Sequence, residues 1–169
     1  MKRLGIMIIL LVSMVCVYGE DFSNLSVEEL TVKAEAGNAE AGNAEAQNNL
    51  GSMYFLGEGI LKDFEKAFYW CEKSAQQGNS YAQYNTGMMY SSGQGVLKDP
   101  EKAFYWYEKS AEQGDSYSQY LVGYMYYFGE GVLKDLGKSA YWIKKAFNNG
   151  DEDAQEFWRK IELWKYDDE

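Results

Sequence analysis

Residues 50–78 read LGSMYFLGEGILKDFEKAFYWCEKSAQQG, and closely similar strings follow at a constant offset of 36 residues. The second copy is TGMMYSSGQGVLKDPEKAFYWYEKSAEQG at 86–114, and the third is VGYMYYFGEGVLKDLGKSAYWIKKAFNNG at 122–150. A fixed period of this length is typical of repeat proteins, in which each unit packs only against its neighbours. The chain is therefore predicted to form a solenoid.

The first repeat begins with the pattern of an amphipathic helix. Ala46, Leu50 and Tyr54 are spaced by four residues, so they lie on one stripe of a helix predicted from about 44 to 56. Gly57 is predicted to end this helix, because glycine adopts the left-handed conformation of a C-cap at little cost. We call the first helix of each repeat helix A.

A second helix, helix B, is predicted to begin after Asp63, whose side-chain oxygen suits the open amides of a helix N-terminus. In the second copy Asp99 is followed by Pro100, which is tolerated in the first turn because the amide it lacks has no helical partner there. Small and large side chains share the face of helix B that is predicted to be buried. The members of this face are Ala67, Trp70, Cys71 and Ser74, then Ala103, Trp106, Tyr107 and Ser110, then Ser139, Trp142, Ile143 and Ala146.

The period also sets the domain organisation. The repeats follow one another without linkers, and each end of the array needs a capping helix, because the outermost repeat would otherwise expose its apolar face. The C-terminal capping helix is predicted from Asp151 to Tyr166. The predicted segments are a signal peptide at 1–19, an N-terminal capping helix within 20–42, repeats at 43–78, 79–114 and 115–150, and a C-terminal capping helix within 151–169.

The first 19 residues have the composition of a cleaved signal peptide. Lys2 and Arg3 precede an apolar run from Ile6 to Val17, which is shorter than the roughly 20 residues of a membrane-spanning helix. A signal anchor and lipid attachment at Cys16 are the competing interpretations. The signal peptide predicts export from a bacterial cell, to the periplasm or the exterior, and a mature chain with no membrane segment.

The charge and the residue types of the chain exclude several classes of function. Cleavage would remove 2 of the 16 basic residues and leave 14 against 26 acidic ones, a net charge near −12 that disfavours nucleic acid as a partner. The chain has no histidine, so catalysis through histidine is excluded, and we predict no catalytic residue, no cofactor and no metal site. Cys71 would be the single cysteine of the mature chain, and its apolar position favours an inert core thiol over a reactive one.

Several short motifs of the repeat resemble the Sel1-like repeat, a relative of the tetratricopeptide repeat. The resemblance covers residues 43–150 as three units and extends by half-units to about 28 and 166. It implies an all-α fold, an α/α solenoid of antiparallel helix pairs in a right-handed superhelix, which acts as an adaptor or scaffold for other proteins. The motifs are Ala46-Gln47, Leu50-Gly51, Tyr54, Gly57-Glu58-Gly59, Lys62-Asp63, Lys66-Ala67, Trp70 and Gly78.

One branch of this family, the cysteine-rich Helicobacter-type proteins, has cysteine pairs that bridge the two helices of each repeat. The resemblance to that branch implies an alternative function, β-lactamase-like penicillin binding. This chain departs from the branch, because Cys71 has no paired cysteine and its counterparts in the other repeats are Tyr107 and Ile143.

Helix A has a second face, opposite its packed stripe, that becomes more aromatic toward the C-terminus. In arrays of this kind helix A lines the concave side, and tyrosine and methionine anchor protein contacts at small entropic cost. We predict that a monomeric chain binds a protein or peptide in this groove, with acidic residues at the rim that favour a basic partner. Packing of these rings against the neighbouring helix A is the alternative interpretation. The predicted groove residues are Tyr84, Met88, Tyr120, Tyr124, Tyr127 and Phe128.

Overall fold

The computed structural model of the chain describes residues 36–39, 42–160, 162 and 165. These residues contain no strand, and 36–39 are helical, so the predicted all-α fold is confirmed. The helices are numbered α1 to α7 in chain order. The odd-numbered helices are A helices, and the even-numbered helices are B helices. The helices are α1 (Ala44–Leu56), α2 (Phe64–Gln76), α3 (Ser80–Ser92), α4 (Pro100–Glu112), α5 (Ser116–Phe128), α6 (Leu136–Asn148) and α7 (Glu152–Lys160).

The predicted capping residues set the helix ends. At Gly57 φ is 76°, in the left-handed region, and the amide of this residue donates to the carbonyl of Met53. The carboxylate of Asp63 accepts a hydrogen bond from the amide of Lys66 at 3.0 Å, and this bond lowers the pKa of Asp63. The same caps recur in the next two repeats, so the predicted boundaries of helices A and B are confirmed.

Helix packing follows the order of the chain. Consecutive helices pack together from α1 with α2 through α6 with α7, and no more distant pair of the described helices packs as extensively. Within a repeat, helix A approaches helix B through a glycine. A Cβ atom at Gly123 would lie only 2.6 Å from Cγ1 of Ile143, and Gly51 and Gly87 are equally close to the side chains opposite them. Packing between neighbours alone is what makes a solenoid.

The turn between helices A and B carries a second kind of close approach. Gly95 has φ 73°, and a Cβ there would overlap the carbonyl oxygen of Phe64 in the preceding repeat. Gly131 stands in the same relation to Pro100. In the first repeat Gly59 has a single described atom within 4 Å, a methyl carbon at 3.9 Å. The turn glycine is therefore a contact between repeats as well as a bend.

A buried glutamine at each junction joins a repeat to its neighbours. Nε2 of Gln119 donates to the carbonyl of Ala111 at 3.1 Å, and Oε1 of Gln119 accepts from Nδ2 of Asn149 at 2.8 Å. Gln83 and Gln47 make the equivalent pairs of bonds one and two repeats earlier. These bonds satisfy amide groups that would be costly to bury without partners.

The tryptophans of the B helices differ from their prediction. Trp70, Trp106 and Trp142 were expected on the buried face, yet each is half-buried. An indole is too large for full coverage by the two A helices on one side of a B helix. Each tryptophan instead packs edge-on against the exposed tyrosine that precedes it, at 5.0–5.3 Å between ring centroids.

The ends of the array are described in part. Helix α7 ends at Lys160, short of the predicted Tyr166, and Glu162 has φ 50°, which a right-handed helix does not adopt. The predicted signal peptide at 1–19 and most of the predicted N-terminal capping helix lie outside the described residues.

Candidate protein-binding face of the A helices

The six predicted groove residues lie on two adjacent A helices. Tyr84 and Met88 are on α3, and the other four are on α5. Five of the six side chains are half-buried, and Phe128 is 51% exposed. Their surroundings divide these residues into two groups, one packed and one open.

The packed group is closed by a ring from α7. Phe157 approaches Tyr127 at 5.4 Å, Tyr124 at 5.7 Å and Tyr120 at 6.0 Å, measured between ring centroids. The alternative interpretation of these residues, packing against the neighbouring helix A, therefore describes this end of the face. The sequence prediction did not include Phe157. We call this group the C-terminal aromatic cluster; it comprises Tyr120, Tyr124, Tyr127, Phe128 and Phe157.

The open group lies around Tyr84. Its ring is 5.8 Å from that of Tyr117, which is in turn 5.9 Å from Tyr120, so one run of rings crosses from α3 to α5. Tyr117 is 40% exposed, and Tyr81, at the equivalent position of α3, is 70% exposed. Sequence reasoning missed both residues, although their spacing of one repeat was a signal that could have identified them. We call Tyr81, Tyr84 and Tyr117 the tyrosine run.

A pocket with a volume of about 220 Å³ opens between α1 and α3. Its floor includes Cys71 of α2, and the amide of Asn85 at its edge is hydrogen-bonded to Oδ1 of Asn48 at 3.0 Å. Nothing in the sequence prediction pointed to a cavity here. We call it the Cys71 pocket; besides Asn85, its lining is Ser52, Phe55, Leu56, Cys71, Met88 and Met89.

The charged side chains on α1, α3 and α5 and at their N-caps are acidic, whereas α7 also carries Arg159 and Lys160. Helices α1, α3 and α5 contain no lysine or arginine, whereas every B helix from α2 to α6 carries lysines. Burial raises the pKa of Tyr120 to about 12, and the Asp153 carboxylate is the next largest cause. Burial likewise raises the pKa of Asp151, and the charges of Asp153 and Asp115 raise it further. These carboxylates create a negative potential beside the tyrosine run.

Cys71 has the environment of a core thiol. The side chain is 1% exposed, and burial raises its pKa to about 12. Because the thiolate is the nucleophilic form, such a thiol is unreactive at neutral pH. The expectation of an inert thiol is supported, and the residue contributes shape to the pocket floor.

The part of the chain that the structure describes has neither a cluster of metal ligands nor a membrane-spanning helix. Across 36–39, 42–160, 162 and 165, no group of three or more acidic or cysteine side chains could hold a metal ion. Within the same residues, no helix is long and apolar enough to span a membrane.

The stacked helix pairs define an α/α solenoid, a helical repeat protein with one extended face of A helices. The family model for the Sel1 repeat matches residues 44–79, 80–115 and 116–151. The chain belongs to the Sel1 repeat family, as its motifs predicted.

Solved structures of similar proteins have the same fold. A Sel1 repeat protein from Oxalobacter formigenes is 34% identical with a TM-score of 0.71, over 76% of this chain and 97% of its own. A protective antigen present in uropathogenic Escherichia coli strains is 34% identical with a TM-score of 0.74, over 88% of this chain and 31% of its own. Cysteine-rich protein B of Helicobacter pylori is 25% identical with a TM-score of 0.60, over 77% and 93%. Among functionally curated proteins no significant match was found.

Proposed function

We propose that this chain is an exported, monomeric scaffold protein that binds a basic peptide segment of a partner protein across its A-helix face. The observation that carries the proposal is the tyrosine run, partly exposed on a face whose helices α1, α3 and α5 lack cations. Tyrosine provides a large, rigid contact area at low entropic cost. The carboxylates near the run favour lysine and arginine on the partner.

A binding role fits the chemistry of the face better than catalysis does. The chain has no histidine, and the Cys71 thiol is buried with a raised pKa. The described carboxylates of Asp115, Asp151 and Asp153 lie at helix starts, where Asp115 and Asp151 accept backbone hydrogen bonds. Sel1 repeats generally mediate contacts between proteins. We therefore propose a non-enzymatic scaffold.

The test is selection of peptides from a random displayed dodecapeptide library on the immobilised whole chain. We expect a consensus rich in lysine or arginine, and affinity of the synthetic consensus peptide that falls as salt rises. The double variant Tyr81→Ala, Tyr117→Ala should weaken binding at least tenfold. A library that yields no consensus contradicts the proposal.

A matched control is available on the opposite side of the solenoid. Tyr69 and Tyr105 are each 50% exposed on B helices, so the double variant Tyr69→Ala, Tyr105→Ala removes comparable surface away from the site. Its affinity for the consensus peptide should equal that of the unaltered chain. Equal losses in the two double variants would place the binding site elsewhere. Substitution of Tyr120 and Tyr124 is a poorer test, because both rings pack against Phe157.

The export part of the proposal rests on the N-terminal sequence and has its own test. Expression of the whole chain in a bacterium, followed by intact-mass measurement of the purified protein, should give an N-terminus at Glu20. A mass that retains residues 1–19 in a soluble product contradicts cleavage.

The β-lactamase-like alternative depends on features of the cysteine-rich branch that this chain lacks. The residue that faces Cys71 across the helix pair is Gly51, so Cys71 has no cysteine opposite it and is a free thiol. Saturable hydrolysis of a chromogenic cephalosporin by the purified chain would favour the alternative over the scaffold.

A further inference from the structure

The Cys71 pocket lies on the same face as the tyrosine run and has no role in the packing described above. We propose that it is an anchor subsite, which receives one large apolar side chain, of the leucine or phenylalanine kind, from the basic segment that the A-helix face binds. This inference rests on the proposed function and deepens it, because it assigns a specificity-determining contact to a particular cavity.

The pocket exists because the first repeat has small residues where the others have large ones. Cys71 is replaced by Tyr107 in the second repeat and by Ile143 in the third. Position 52 is a serine in α1, whereas the equivalent residues are Met88 in α3 and Tyr124 in α5. The missing side-chain volume is left open between α1 and α3.

The second repeat illustrates what fills the equivalent space. The ring of Tyr107 passes so close to Gly87 that a Cβ there would lie 2.7 Å from Cδ1, and the ring lies 6.0 Å from that of Tyr84. The Tyr107 hydroxyl also interacts with the side chain of Ser91 on helix A. A large side chain in this position therefore reaches from helix B to the outer turns of helix A, and in the first repeat that path is vacant.

The volume and the lining of the Cys71 pocket determine which kind of group it can hold. A volume of about 220 Å³ is below the roughly 300–1,000 Å³ of sites for small-molecule ligands, whereas an apolar cavity of about 150 Å³ already admits a benzene-sized group. The lining has no charged side chain, and Asn85, one of its two polar residues, is already hydrogen-bonded to Asn48. Methionine side chains adapt to irregular apolar partners, and Met88 and Met89 both line the cavity. The pocket suits one apolar side chain.

The position of the pocket links its occupant to the basic segment. Met88 lines the pocket and follows Tyr84 by four residues, about 6 Å along α3, so pocket and tyrosine run are neighbours on one helix. The negative potential beside Tyr84 and Tyr120 draws the positive residues of a segment, whereas the uncharged pocket receives the apolar one. A single segment satisfies both requirements.

Methionine methyl groups provide a direct readout of occupancy. With ¹³C-methyl methionine in the whole chain, addition of the selected consensus peptide should shift the signals of Met88 and Met89. Met53 and Met125 occupy the position of Met89 in the other repeats, and their signals serve as internal controls. If the peptide binds and the signals of Met88 and Met89 do not shift, the inference is wrong.

Filling the pocket provides the second test. The variants Cys71→Tyr and Ser52→Met each introduce the residue that the second repeat has at that position, and Ser52→Met keeps the test available if Cys71→Tyr does not fold. Changing the apolar residue of the consensus peptide to alanine should weaken binding to the unaltered chain about tenfold or more. The same change should cost less than twofold with either filled variant, while the basic residues remain required.

The two proposals fail in different ways. If the alanine peptide loses the same affinity with the unaltered chain and with both filled variants, the pocket is not the anchor subsite, although binding to the face stands. If no peptide is selected on the unaltered chain, the proposed function fails and the anchor subsite fails with it.

Discussion

The junction between α1 and α3 and the face between α5 and α7 are built on the same repeat, yet one is open and the other is closed. At the first, Ser52 and Cys71 leave a cavity of about 220 Å³. At the second, Tyr124 and Phe157 bring their rings within 5.7 Å. Backbone geometry is constant along the array, with 13 residues in each helix from α1 to α6. The difference lies in a few side chains, which vary between repeats while the backbone does not.

This contrast separates two kinds of position in the repeat. Frame positions, such as the C-cap glycines, the aspartate caps and the buried glutamine, make the same contact in each copy and hold the helices in place. The turn glycines Gly95 and Gly131 add a contact to the preceding repeat. Face positions, such as 52 and 71 with their equivalents, vary between copies and decide whether the surface is filled or hollow. Substitutions at the two kinds of position should therefore differ in the size of their effect.

The largest effect is expected at a frame position, Gly131. A Cβ at this residue would overlap the carbonyl oxygen of Pro100, whereas the described residues place only one atom within 4 Å of a Cβ at Gly59, a methyl carbon at 3.9 Å. Both glycines have positive φ, so Gly→Ala costs about 1–2 kcal/mol of backbone strain at either. We expect Gly131→Ala to lower the free energy of unfolding in urea by at least about 3 kcal/mol more than Gly59→Ala. Similar losses would show that the first and last repeats are held equally.

Removal of the ring that closes the C-terminal aromatic cluster should have the next largest effect. Phe157→Ala deletes contacts with four rings of α5, and we expect a loss of about 2 kcal/mol, below the 3–5 kcal/mol of a fully buried phenylalanine because this side chain is half-buried. Thermal unfolding measures the loss, with Glu156→Ala, exposed on the same helix, as control. A loss no larger than that of the control would mean that the two ends of the face are equally open.

A smaller effect is expected at the junction glutamine. Gln119→Ala removes one hydrogen bond to the carbonyl of Ala111, which keeps its bond from the Gly114 amide, and the acceptor of the Asn149 side-chain amide. We expect a loss of about 1–2 kcal/mol. In a double-mutant cycle, the Asn149→Ala change should cost less in the Gln119→Ala background than in the unaltered chain. Strict additivity of the two changes would show that the hydrogen bond between them contributes nothing.

Titration of Cys71 should leave stability unchanged at neutral pH and lower it only in alkaline solution. Its pKa is raised by burial to about 12, so the folded chain retains the thiol proton where the unfolded chain loses it. The free energy of unfolding should therefore fall as pH rises from about 9 towards 12, and Cys71→Ile, which has no proton to lose, should show a shallower fall. Tyr90 and Tyr120 also have raised pKa values and contribute in both chains. Identical pH profiles for the two chains would contradict the burial of the thiol.

Sequence alone predicted the frame well because the frame is built from local chemistry. Gly57 and Asp63 act within a few residues of their own helix ends, so their roles could be inferred without knowledge of distant contacts. Phe157 could not be identified in the same way, because its partners lie on α5 and depend on how one repeat stacks on the next. The half-burial of Trp70 and its equivalents depends equally on that stacking.

The Cys71 pocket could be predicted from the sequence only in part. The sequence contains the difference between Cys71, Tyr107 and Ile143, which by itself shows only that the cysteine is not repeated along the array. Comparison of side-chain volumes at equivalent positions would have indicated missing material in the first repeat. That this space opens onto the A-helix face could be seen only from the arrangement of α1 and α3 in the structure.

The hydrogen bonds of the buried glutamines allow the array to be lengthened by whole repeats. Gln47, Gln83 and Gln119 each accept from a residue 30 positions later and donate to a carbonyl 8 positions earlier. A duplicated unit of 36 residues would meet the same partners on both of its sides, so recombination between repeats yields a longer array without new contacts. Gene duplication can then vary the number of face positions while the frame is copied unchanged.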